Sequence, residues 1–127
     1  MTRTLSFTKF EHELLPHYRE ALNAAESVED VRAAFAATAR DLCAGAVQED
    51  AAIGPEDFRL DPAAREGYAV SQRLRGRPWF PGLLAGSDLP RILGRLAELA
   101  LKRYKHLAKH LERTESQMYK APDYRRG

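Results

Sequence analysis

Apolar residues recur at steps of three and four along most of the chain, the spacing that lines one side of an α-helix. In the first segment this pattern is interrupted by Pro16, which either kinks one helix or lies in the first turn of a shorter one. A second stripe begins after Ser27, a typical helix N-cap, and ends near Gly45, a typical C-cap. We therefore predict helices over about residues 7–25 and 28–44, which a short turn joins into an antiparallel hairpin.

The middle of the chain predicts one further helix. Asp61 followed by Pro62 is typical of a helix start, because the carboxylate caps free N–H groups and proline fits the first helical position. This start predicts a helix over about residues 62–74. The flanking segments 46–61 and 76–82 are rich in turn residues and predict loops. No run alternates apolar and polar residues with period two, so no β-strand is predicted.

The last helix has the clearest pattern in the chain. One apolar stripe continues through residues 89–119, and no proline interrupts it before Pro122. A helix of this length spans about 46 Å, whereas the other predicted helices span about 20–28 Å. The stripe is therefore longer than the partners within the chain. Either Gly94 breaks the helix or its C-terminal half packs against a second copy. We favour the second copy, because the stripe keeps its phase through Met118.

These elements predict an all-α fold, a small up-down helical bundle of about four helices with a long C-terminal helix. A chain of 127 residues suits one domain. We assign residues 1–119 to that domain. Residues 120–127 have little apolar surface to hold them in place, so we expect a flexible tail.

The net charge of +2 hides an uneven distribution of charge along the chain. Residues 1–60 contain six basic and eleven acidic residues, a net charge of −5, and residues 61–127 contain fourteen and seven, a net charge of +7. Opposite charges on the two halves favour contacts between them, within one fold or between two copies. Alternatively, the basic half is a surface for an acidic partner.

Most of the basic residues in the last helix lie on one face, opposite its apolar stripe, at 100° per residue. Such a row can follow the phosphates of a nucleic acid or another polyanion, whereas a solvated helix face that keeps the protein soluble is the simpler interpretation. The row consists of Arg91, Arg95, Lys102, Lys105, Lys109 and Arg113.

The histidines form two pairs at near-helical spacing. His106 and His110 are one turn apart, as are Glu13 and His17, with His12 close by. Side chains placed like this on two helices of a bundle can bind a metal ion. No H-E-x-x-H or E-x-x-H sequence supports the site, so amphipathic boundary residues are the favoured interpretation, and we predict no cofactor.

Two large aromatic residues, Trp79 and Phe80, lie between two prolines. They either cover the end of this protein's own helices, which we favour, or insert into a partner and add to an interface.

Nothing in the sequence indicates an enzyme. Cys43 is the single cysteine and follows Asp41, which would raise the pKa of the thiol, and no phosphate-binding loop or nucleophile motif is present. One cysteine excludes an internal disulfide and favours a reducing compartment. The N-terminal residues lack the apolar core of a signal peptide, and no stretch approaches the roughly 20 apolar residues of a spanning helix. We expect a cytoplasmic protein that does not associate with membranes.

The sequence therefore predicts a non-enzymatic helical protein that acts through protein–protein contacts, as an oligomerising, adaptor or regulatory protein, and forms a homodimer. Polyanion binding and metal binding remain alternatives. The predicted interface consists of Tyr104, Leu107, Leu111 and Met118, with Trp79 and Phe80 if they face a partner.

Overall fold

The computed structural model describes residues 7–46 and 53–120, with side chains over residues 7–45 and 53–109. These residues form five α-helices, one 3₁₀ turn and two short strands. In chain order the elements are α1 (Thr8–Ala24), α2 (Val28–Ala46), the 3₁₀ turn (Pro55–Asp57), β1 (Phe58–Leu60), β2 (Tyr68–Val70), α3 (Gln72–Arg75), α4 (Phe80–Ala85) and α5 (Leu89–Lys120). The tail predicted over residues 120–127 lies outside the described residues from 121 onward.

The helices α1 and α2 form an antiparallel hairpin, and each begins and ends within two residues of its predicted range. Ser27 caps α2, since its Oγ accepts a hydrogen bond of 3.1 Å from the Asp30 N–H. Pro16 lies inside α1 without ending it. The prediction that Gly45 ends α2 is wrong, because the helix continues to Ala46. A side chain at Gly45 would lie 3.2 Å from the Phe10 ring, so the glycine allows α1 to approach closely.

The long helix α5 forms the main wall of the core. It passes through Gly94 without a break and covers 32 residues, about 48 Å. At its start, the Ser87 Oγ accepts a hydrogen bond of 3.2 Å from the Leu89 N–H. The first half of the helix buries its apolar stripe almost completely against α2, α1 and the strands β1 and β2. The buried residues are Leu89, Ile92, Leu93, Leu96, Ala97 and Ala100.

The prediction of a helix over residues 62–74 is wrong. In its place, β1 and β2 form an antiparallel hairpin, and only α3, with four residues, is helical near the end of that range. Asp61 does cap N–H groups, but in a turn: its Oδ1 accepts from the Ala63 N–H at 3.0 Å. The Asp61 N–H donates to the Gly67 carbonyl at 2.8 Å and closes the loop between the strands.

The predictions for the neighbouring segments also change. Segment 46–61 contains the 3₁₀ turn and β1, and α4 begins at Phe80 within the predicted loop 76–82. The chain is mostly helical, as predicted, but it carries a small sheet. An up-down bundle of four helices is not confirmed, because the hairpin replaces the third predicted helix.

Among the described residues, none of the helices is both long enough and apolar enough to cross a membrane.

A buried carboxylate, Asp57, joins the hairpin strands to the segments around them. Its side chain is 1% exposed and accepts hydrogen bonds from the Ser71 hydroxyl at 2.6 Å, an Arg73 guanidinium N–H at 2.6 Å and the Gly54 N–H at 3.0 Å. Burial acts to raise the pKa of Asp57, but the bonds from Ser71 and Gly54 and the charge of Arg73 outweigh it, so the pKa lies below its ordinary value.

Position 67 requires a glycine for two reasons, its backbone conformation and its close packing. Its φ is +86°, and a Cβ there would lie 3.0 Å from the Leu101 side chain. We expect Gly67→Ala to lower the free energy of unfolding by about 1–3 kcal/mol in denaturant titrations. Gly94→Ala is the control and should be stabilising by up to about 1 kcal/mol, because no atom lies within 4 Å of the added Cβ. Equal effects of the two substitutions would contradict this assignment.

Asp57 should make stability depend on pH. Because its folded pKa is lowered, its contribution is present above the unfolded pKa of about 3.9 and is lost as pH falls through the folded value. We expect Asp57→Asn to destabilise the protein by about 1–3 kcal/mol at pH 7. The difference in the free energy of unfolding between wild type and Asp57→Asn should become smaller below about pH 4. Urea titrations at several pH values measure this difference, with the exposed Glu13→Gln, which lies outside the Asp57 network, as control. A difference that stays constant with pH would contradict the prediction.

Candidate functional site

Polar contacts hold the first half of α5 along α1. The Asp88 carboxylate accepts hydrogen bonds from the Phe7 N–H at 2.8 Å and from the Thr8 hydroxyl at 3.3 Å, which places the starts of the two helices side by side. Further along, the buried Tyr18 hydroxyl donates to the Leu96 carbonyl at 2.5 Å. Burial of the phenol raises the pKa of Tyr18 above its ordinary value, so it stays a neutral donor.

The end of the α1–α2 hairpin lies beside the middle of α5. The Arg103 guanidinium donates to the carbonyls of Asn23 and Ala25 at 3.3 and 3.0 Å and so satisfies the C-terminus of α1. Arg32 of α2 donates to the Tyr104 hydroxyl at 3.1 Å and lies 5.5 Å from the centre of its ring. Because α5 starts level with α1, it passes the end of α1 near Arg103 and continues for about 25 Å to Lys120.

Two of the predicted interface residues of α5 lie just beyond Arg103 on the helix. Tyr104 and Leu107 are half-buried and pack against the edge of the core. Leu111 and Met118 belong to α5, but their side chains lie outside the described ones.

The aromatic pair covers this protein's own helices. Phe80 is 1% exposed, so it belongs to the core rather than to an interface. Trp79 is half-buried at the edge of that core, with its ring 5.9 Å from the Phe80 ring in an edge-on arrangement. The interpretation that both aromatics insert into a partner is therefore wrong for Phe80.

The described basic residues on this face of α5 are exposed, but they differ in whether their side chains have a partner. No described residue forms an ion pair or hydrogen bond with the side chain of Arg91, Lys102, Lys105 or Lys109. Arg113 has no described side chain.

Arg95 is held by a buried carboxylate. Its two nitrogens lie 3.0 and 2.7 Å from the oxygens of Glu11, whose side chain is 7% exposed. The hydrogen bond to Glu11 raises the pKa of Arg95 above its ordinary value. Arg95 therefore serves the α1–α5 contact with its side chain 47% exposed, and its role in a polyanion-binding row stays a prediction.

The candidate metal ligands do not assemble among the described side chains. His12, Glu13, His17 and His106 are exposed, and within residues 7–45 and 53–109 no three histidine, cysteine or carboxylate side chains form a group that could hold a metal ion. His17 lies 3.9 Å from Glu20 on the same helix. His110 has no described side chain.

Cys43 is fully buried in the core, and burial raises the pKa of its thiol to about 12. A thiol in this setting is neither a nucleophile nor a metal ligand at neutral pH.

Two grooves flank the exposed face of α5. The first, about 390 Å³, lies between α1 and α5 and has an apolar floor that includes Leu15 and Leu99. The second, about 360 Å³, lies between α5 and the turn after β1 and is lined by Arg65, Lys102 and Lys105. The sequence did not indicate that Arg65 lies beside Lys102 and Lys105, because the predicted helix over residues 62–74 would place it elsewhere.

Comparison of the chain with family models, with curated proteins and with solved structures finds no match.

The two kinds of arginine on α5 should respond differently to substitution. We expect Arg95→Gln to lower the free energy of unfolding by about 1–3 kcal/mol, because it leaves the Glu11 carboxylate buried without its cation. Arg91→Gln, the matched control, should change it by less than about 0.5 kcal/mol. Denaturant titrations measure both, and adding Glu11→Gln should restore part of the loss. Equal effects at the two arginines would refute the structural role of Arg95.

Proposed function

We propose that this protein acts through protein–protein contacts and forms a homodimer through the end of α5. The observation that carries this proposal is the length of α5 relative to its partners. The helix is about 48 Å long, whereas α1 and α2 are about 26 and 28 Å. Among the described α5 side chains, which end at Lys109, Leu107 is the last that packs against the core. Residues 108–120, the projecting segment, follow it.

The sequence supports an apolar contact on this segment. Leu111, Thr114 and Met118 follow Leu107 at steps of four, three and four, in phase with the stripe that the first half of α5 buries. An isolated helix is marginally stable in water and gains most of its stability by packing an amphipathic face. A helix with this pattern therefore favours a partner on that face.

A second copy of the chain suits this role. Two projecting segments that run antiparallel across a two-fold axis present the same apolar positions to each other, which makes the interface self-complementary. This arrangement also brings the basic second half of one chain beside the acidic α1–α2 turn of the other, where Glu26, Glu29 and Asp30 are exposed. Parallel segments would instead place like charges together.

An oligomer assay with one substitution tests the proposal. We expect wild type to sediment as a dimer at about 50 µM, well above the dissociation constant of a micromolar dimer. Leu111→Glu should raise that constant by at least about 100-fold, because the dimer would bury a carboxylate without a partner. The circular dichroism of the variant should show that the bundle remains folded.

Lys109→Glu is the matched control, since it adds the same side chain two residues away on the exposed face of α5. It should stay dimeric. A wild-type protein that sediments as a monomer at this concentration would exclude the homodimer, and dissociation by both substitutions would exclude the apolar stripe as the contact.

A further inference from the structure

The groove between α5 and the turn after β1 combines three cations with an open backbone surface. Arg65 comes from the turn, and Lys102 and Lys105 come from α5. All three are exposed, and no described residue pairs with their side chains, although Glu66 and Glu98 line the same groove. Arg95, about two to three turns before these lysines on the helix, is by contrast neutralised by Glu11.

Gly94 lines the same groove and leaves open space there. Glycine in the middle of a helix is destabilising relative to alanine. No atom lies within 4 Å of the place where a Cβ would stand, so packing within the described residues does not require a glycine. Its neighbour in the groove, Gly67, differs, because its φ of +86° and its contact with Leu101 both require glycine. Gly94 instead leaves the surface of α5 bare beside the cations.

The cations continue beyond the groove along α5. Arg91 lies on one side and Lys109 on the other, both exposed and without a described partner. From Arg91 to Lys109 the row spans about 27 Å at 1.5 Å per residue. This length exceeds that of a single phosphate ester, whereas a nucleic acid carries phosphate charges continuously along its backbone.

We propose that this groove, with the row that continues from it, binds the phosphate backbone of a nucleic acid. Arg65, Lys102 and Lys105 neutralise phosphates at the groove, and the bare backbone at Gly94 lets the strand approach the helix. Glu98 lies within the row and weakens binding there, so the site favours modest affinity without base recognition.

The first test measures the anisotropy of a labelled single-stranded 20-nucleotide oligonucleotide. At about 50 mM salt we expect a dissociation constant of about 1–100 µM, which rises with salt. Replacing Arg65, Lys102 and Lys105 together by glutamine should weaken binding at least about tenfold and reduce the salt slope by about two. The matched control replaces Lys9, Arg19 and Arg59, three exposed cations elsewhere, by glutamine and should have little effect. Equal losses would overturn the proposal.

The second test keeps every cation and changes the shape or charge of the groove. Gly94→Leu should fill the groove and weaken binding at least about tenfold, while the melting temperature stays equal or rises because leucine favours helix. Glu98→Gln should strengthen binding about two- to fivefold, since it removes a negative charge from the row. Wild-type affinity in Gly94→Leu would overturn the role of the groove.

Inorganic tripolyphosphate distinguishes a free phosphate ligand from a nucleic acid. We expect it to compete only at concentrations at least about 100-fold above those of the oligonucleotide, because it reaches fewer cations of the row. Competition at equal concentration would overturn the assignment to nucleic acid. Leu111→Glu should bind the oligonucleotide through the same groove, so a failure of the homodimer and a failure of this site give different results.

Discussion

The burial of one face of α5 is the constraint on which the rest of the structure depends. Six residues between Leu89 and Ala100 are at most 2% exposed, so the first half of the helix cannot rotate or shift without opening the core. Polar contacts to α1 set the register along the axis, at Asp88, Arg95 and Arg103 in turn. Because α5 is one continuous helix, this fixed first half also sets the direction of its second half and the faces that it presents.

The hairpin of β1 and β2 depends on α5 in a different way. Strands of three residues are too short to be stable alone, and they persist because Phe58 and Leu60 pack into the core. Gly67 lies against Leu101, which brings the turn onto the helix and places Arg65 beside its basic face. The Asp57 network then joins the strands to α3, so a polar cluster holds together a segment with little regular structure of its own.

The long periodic helices could be predicted from the sequence because each repeats the same local pattern over many turns. The hairpin could not, since three residues are too few to show period two and Asp61–Pro62 has the same residues as a helix start. The ion pair of Arg95 with Glu11 could not be predicted either. Its partner Glu11 is 84 residues away in the sequence, and nothing local distinguishes this arginine from Arg91. The groove at Gly94 required both the turn and the helix to be in place, so only the tertiary structure revealed it.

The two proposed surfaces are compatible because they occupy opposite faces of the same helix. At 100° per residue, Lys105 and Lys109 each lie roughly 160° from Leu107 around the axis of α5. A second copy on the apolar face therefore leaves the cationic face open to solvent. A two-fold axis would place one cationic row on each side of the dimer. Both rows would therefore bind the same nucleic-acid strand only if that strand were long enough to pass from one side of the dimer to the other. Where the strand is too short for this passage, dimerisation should leave the affinity of each groove unchanged.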